Sequence, residues 1–172
     1  MTDRSLAGKS RKLLPGLCSI LGTLILACVI LAFLPITVPR FAGYEIYEVI
    51  SGSMEPEIPV GSAVYVKPEK PEDIAEGEIV AFWSGDSVVT HRVVENRKEA
   101  REFVTKGDAN TREDMVPVLY DSLIGEVKLH IPMAGIMMAG LSGMTGKICA
   151  AFAVIWGILL HILSGILQTG GE

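Results

Sequence analysis

The chain has 172 residues, 49% of them apolar, and a formal net charge of −5. That length accommodates one domain, or a small domain with membrane segments, and argues against a multidomain enzyme. The acidic balance and the lack of a concentrated basic face argue against a nucleic-acid binder, which must neutralise phosphates. Cys18, Cys28 and Cys149 all sit in apolar runs, without the spacing of a disulfide framework or a zinc site, and read as packing residues. The middle of the chain therefore holds no cysteine nucleophile.

In chain order, residues 1–12 form a basic N-terminus. Arg4, Lys9, Arg11 and Lys12 stand against a single Asp3, so the positive-inside rule places this segment in the cytoplasm. Residues 13–34 carry no charge, and a helix of that length crosses a hydrocarbon layer of ~30 Å. A cleaved leader would need a shorter apolar core and a small-residue exit. "FLPITVPRF" follows instead, so the run is expected to remain as an anchor.

Residues 35–130 read as an extracytoplasmic β-rich domain. Short runs rich in β-branched and aromatic residues at 44–50, 63–67, 78–83, 87–95, 101–106 and 123–129 are separated by Pro59 and Gly61, Gly77, Ser84-Gly85-Asp86 and Gly107-Asp108. The expected fold is mainly β, a compact antiparallel sheet or partly closed barrel, flanked by two transmembrane helices. Residues 131–147 are an apolar interfacial segment in which Met133, Met137, Met138 and Met144 alternate with glycines. Residues 148–167 form a second span whose one ionisable group is His161, for which Ser19 or Thr23 of the first span offers a neutral hydrogen-bond partner. Residues 168–172 are then a cytoplasmic tail.

The stretch "SGSMEP", 51–56, carries the chemistry. Pro56 biases Glu55 away from helical geometry, so Ser53 is expected at the end of a strand, and Gly52 allows close backbone approach. A serine hydroxyl near neutral pH needs a base within hydrogen-bond reach. The middle region offers His91, in a strand where alternation groups it with Val89 and Val93, and His130, at the membrane entrance. A histidine among valines is either a satisfied core residue or a positioned base. Asp108 and Asp114 fall in the polar turn "KGDANTRED", where aspartates ordinarily serve as solvated turn formers.

Taken together, "SGSMEP" with "GSAVYV", "GEIVAF", "THRVV" and "TKGDAN" ending at Asp114 resembles the consecutive boxes of type I signal peptidases. The similarity is to the histidine-type branch of the endoplasmic-reticulum enzyme and its archaeal and sporulating-bacterium relatives, and runs from about Val49 to Val127. The commoner bacterial branch carries a lysine base where His91 stands. The resemblance implies a membrane-bound serine endopeptidase with Ser53 as nucleophile, His91 as general base, Asp114 as the acid and Asp108 as a supporting carboxylate. Ser51 then joins the backbone N–H of Ser53 in the oxyanion hole. Endoplasmic-reticulum members have Asn where Ala109 lies, so that side-chain support is missing here.

The same resemblance implies signal-peptide-bearing preproteins as substrates, the lipid bilayer and the translocon as surroundings, and no cofactor or metal. It also implies a cell-membrane location with the catalytic domain outside. Shallow specificity pockets are expected around Ile50, Val64 and Val88. The competing reading is a catalytically inactive, membrane-tethered β module that binds or scaffolds exported proteins.

Overall fold

The computed structural model describes residues 3–169, with side chains from residue 13 onward. The side chains of Arg4, Lys9, Arg11 and Lys12, on which the expected orientation rests, and residues 170–172 of the expected tail lie outside the described residues. Among the described residues two compact units emerge, one from residues 3–35 and 141–169, the other from 36–140.

The first unit is a helix pair. Helix α1 (Asp3–Phe41) runs through the apolar stretch and on past Pro35 and Pro39, while α3 (Met144–Thr169) contains the second apolar run. Both are long and apolar enough to cross a membrane, with mean hydropathies of 2.8 and 2.2. Leu17, Leu24 and Leu31 of α1 and Ile155, Trp156 and Ile166 of α3 stand exposed, as faces directed at lipid would.

Small residues let the two backbones approach. A Cβ on Gly22 would lie 2.9 Å from the Gly157 carbonyl oxygen and 3.0 Å from His161 Cδ2. The Thr23 hydroxyl donates to the Ser19 carbonyl at 2.9 Å, so its oxygen is left to accept from His161 Nε2–H at 3.3 Å. Thr23, rather than the Ser19 side chain, thus partners the histidine. Farther along, buried Ser164 donates to the Pro15 carbonyl at 2.8 Å.

The second unit is an open seven-stranded antiparallel sheet in the order β1-β2-β7-β3-β4-β5-β6. The strands are β1 (Glu45–Glu48), β2 (Ala63–Lys67), β3 (Ile79–Ser84), β4 (Ser87–Arg97), β5 (Glu102–Lys106), β6 (Val118–Leu119) and β7 (Leu123–Ile131). β1 is shorter than its apolar run suggests, and the two-residue β6 leaves no readable alternation in the sequence. A short helix, α2 (Ala134–Ser142), follows β7 within the methionine-rich segment, and its first turn packs on Gly61 through the Gly135 N–H to Gly61 carbonyl bond of 3.0 Å.

Both faces of the sheet are covered. β3 is apolar at consecutive positions because Val80 and Phe82 enter one core, with Val93, Phe103 and Tyr120, while Ala81 enters the other, with Met54, Ile58, Val64 and Val66. Phe103 is fully buried, and its ring centroid lies 4.9 Å from that of Tyr120. Phe103→Ala should therefore destabilise the sheet unit by about 3–5 kcal/mol, visible as a lowered Tm of the full chain in detergent.

Candidate active site

The site forms where β5 parts from β4. Pairing between these strands begins at Arg97–Glu102 and ends at Arg92–Lys106, so β4 from Ser87 to His91 has no β5 neighbour. That side of β4 is met instead by the 3-10 helix Gly52–Met54. Ser53 therefore sits in a tight helical turn and not at the end of a strand, because β1 stops at Glu48 and Met54 is drawn into the core. The chain straightens again at Glu55, with φ −68° and ψ 146°, as a residue before proline should.

Alternation decides which carboxylate meets His91. Residues paired across β4 and β5 share a face, so Val93 and Thr105 flank the same side as His91, two positions along. Asp114 is brought onto that side by its N–H, which donates to the Thr105 carbonyl at 2.8 Å. Its Oδ2 then accepts from Thr105 Oγ1 at 2.7 Å and lies 2.5 Å from His91 Nδ1. With Nδ1 engaged by the carboxylate, Nε2 is the free nitrogen of the ring. Phe82 packs edge-on to the imidazole at a centroid distance of 6.2 Å and limits its swing.

Asp108 takes the opposite face. It follows Lys106 by two residues, and Lys106 pairs with Arg92, so its carboxylate meets the Arg92 guanidinium in a two-point contact, 2.9 Å from Nε and 2.6 Å from Nη2. The same arginine donates to the Gly77 carbonyl at 2.7 Å. The hydrogen bonds to Asp108 push the Arg92 pKa up, which outweighs the opposing effect of burial. Asp108 makes no hydrogen bond to His91 among the described residues.

Gly107 joins the two halves. It is buried, and a Cβ there would lie 2.5 Å from the Ser53 carbonyl oxygen, 2.8 Å from Asn110 Nδ2 and 3.0 Å from His91 Nε2. Those three groups thus crowd around one glycine. The turn is closed by Asn110 N–H donating to the Gly107 carbonyl at 2.9 Å and is tied to the nucleophile segment by Ala109 N–H donating to the Ser53 carbonyl at 2.9 Å. The Ser53 hydroxyl makes no hydrogen bond among the described residues, and it opens onto a cleft.

That cleft, of about 270 Å³, is lined by Ser51, Ser53, Ile50, Tyr47, Val88 and Thr90 among others. Of the three residues expected around specificity pockets, Ile50 and Val88 line this cleft. Val64 does not, because it is fully buried in the core beneath. Tyr47 donates its phenol to Glu45, and burial together with that carboxylate pushes its pKa up to about 12, so it stays neutral in the cleft wall. His130 is on β7, paired with Val64 and separated from β4 by β3. No group of three or more acidic, histidine or cysteine side chains suited to a metal ion occurs among the described residues.

The sequence marks Gly107 only as a turn residue and gives no signal at Thr105 or Arg92. Gly107 precedes Asp108 as an ordinary turn glycine would, and only the approach of Ser53 and His91 distinguishes it. Arg92 and Thr105 act through register, which adjacency in the chain does not display.

No protein-family model matches the chain. Over 84 residues it is 38% identical to signal peptidase I W of Bacillus subtilis (strain 168), a match covering 46% of this chain and 44% of that protein. This identity makes the two chains homologous. The match spans less than half the length of that relative.

Because the space above Gly107 is filled by a backbone carbonyl and the imidazole, Gly107→Ala should force the turn away from Ser53 at a cost of about 1–3 kcal/mol. Gly140→Ala, inside α2 where a Cβ meets nothing within 4 Å, should not destabilise and should gain up to about 1 kcal/mol of helix propensity. Thermal melts of both variants in detergent make the comparison.

Proposed function

We propose that this chain is a membrane-bound serine endopeptidase that removes N-terminal signal peptides from exported preproteins. The observation that carries this reading is the bond from His91 Nδ1 to Asp114 Oδ2, which leaves Nε2 directed at the Gly107 turn against which the Ser53 backbone packs. Homology with a type I signal peptidase and two helices fit to cross a membrane support it.

In this reading His91 Nε2 accepts the Ser53 proton as Oγ attacks the scissile carbonyl. It then protonates the departing amine, and a water completes hydrolysis of the acyl-enzyme with the same base. Asp114 holds the imidazole tautomer and stabilises its cation, and Thr105 in turn holds Asp114. Ser51 and the Ser53 N–H supply the oxyanion donors. Asp108 supports the site indirectly by fixing the 107–110 turn through Arg92. With the basic N-terminus in the cytoplasm, residues 35–130 lie on the extracytoplasmic side, where a precursor's apolar segment leaves its cleavage site. The cleft walls around Ile50 and Val88 are suited to small residues on the acyl side of the bond.

Processing of a model preprotein in proteoliposomes tests the assignment. Ser53→Ala and His91→Ala should abolish cleavage. Asp114→Asn should lower kcat on the order of 10²–10⁴-fold, and Ser51→Ala on the order of 10²-fold. Undiminished processing by Ser53→Ala would leave the chain as a binding module and remove the peptidase reading.

A further inference from the structure

Beside the cleft lies a second hollow, of about 480 Å³, formed by residues 109–115 and walled by Asn110, Thr111, Arg112 and Glu113. It shares no lining residue with the cleft. Ser53 and the 107–110 turn stand between the two, since Ser53 lines the cleft while its carbonyl accepts from Ala109, which lines the hollow. The cleft wall is thus partly apolar, whereas the hollow is lined mainly by polar and charged groups, Asp114 among them, with the exposed Met115 at one end.

At the threshold of the hollow is Asn110. Its Nδ2 and the His91 Nε2 flank the same point above Gly107, 2.8 Å and 3.0 Å from where a Cβ would be. Asn110 is exposed, and its carboxamide makes no hydrogen bond among the described residues. Its backbone, by contrast, is held by the 2.9 Å bond to Gly107. A held backbone thus places an unengaged amide, able both to donate and to accept, next to His91 Nε2.

Resting on the peptidase reading above, we propose that Asn110 and the 109–115 hollow form the subsite for the leaving peptide. The Asn110 carboxamide would hydrogen-bond the backbone of the first residues after the scissile bond and hold the departing nitrogen beside His91 Nε2, from which it takes its proton. The ligand class is a polar, extended amino-terminal peptide segment, and the polar walls of the hollow fit the soluble start of an exported chain better than another apolar stretch. Asn110 is then a substrate-binding residue of the leaving side, distinct from the acyl-side cleft.

Two substrates with the same acyl portion separate this role from a merely structural one. The first continues for several residues past the scissile bond; the second ends there in a small aminocoumarin amide. Asn110→Ala should lower kcat/KM for the first about 3- to 10-fold, the worth of one or two neutral hydrogen bonds, and change the second less than twofold. Loss of equal size on both would assign Asn110 to turn structure, and no loss on the first would mean that it touches no substrate. Either result overturns the subsite and leaves the peptidase reading standing. Should wild type cleave only the peptide, inhibition by the free leaving peptide decides, being weaker for Asn110→Ala if the subsite exists and equal if it does not. A wild type that cleaves neither substrate removes the peptidase reading and the subsite with it.

Discussion

The ladder between β4 and β5 ends at the pair Arg92–Lys106, and the site exists because it ends there. Had the strands stayed paired past Gly107, the edge of β4 from Ser87 to His91 would be occupied by backbone partners, with His91 confined to one face. By turning away, β5 opens that edge to the 3-10 helix bearing Ser53, whose neighbour Met54 is rooted in the core of the other face. Groups from opposite sides of a sheet can then meet around its margin. Gly107 is the position where they do, and the lack of a side chain there is what admits both the Ser53 carbonyl and the imidazole.

The same register sorts the two carboxylates. Asp114 arrives on the His91 side and is held by the Thr105 hydroxyl and backbone carbonyl, whereas Asp108 falls on the Arg92 side and is neutralised by a two-point contact. One negative charge therefore acts on the imidazole and the other is held away from it. The His91 and Asp114 side chains retain only 11% and 24% exposure, so their contact lies largely out of water. Its main effect is orientation, because a carboxylate on Nδ1 and an aromatic edge from Phe82 leave the ring little freedom.

The helix pair follows different physics. In a hydrocarbon solvent apolar surface gives little drive for association, so close backbone approach and a few internal polar contacts must supply it. Gly22 against Gly157, Thr23 with His161, and Ser164 on the Pro15 carbonyl do this along one seam, while Leu17, Leu24, Leu31, Ile155 and Ile166 face outward. Thr23, His161 and Ser164 are thus engaged within the helix pair, while Ser51, Ser53 and Asn110, whose side-chain polar atoms make no hydrogen bond among the described residues, belong to the sheet unit.

Much of this was legible in the sequence. The two apolar runs, the antiparallel β character and most strand positions follow from composition and alternation, which are local properties. Ser53 and His91 stood out because serine chemistry demands a base and the middle region has few. The choice of Asp114 over Asp108 was carried by resemblance alone, since both occupy the same polar turn and neither has a local signature. Only tertiary structure decided between their contacts, through strand parity and the point at which β5 departs. It likewise withdrew Val64 from the cleft, placed Ser53 in a turn rather than at a strand end, and gave Gly107, Thr105 and Arg92 their roles. Each of these depends on which residues face each other across separate strands, and cross-strand register is set by the packing of the whole sheet rather than by any one segment.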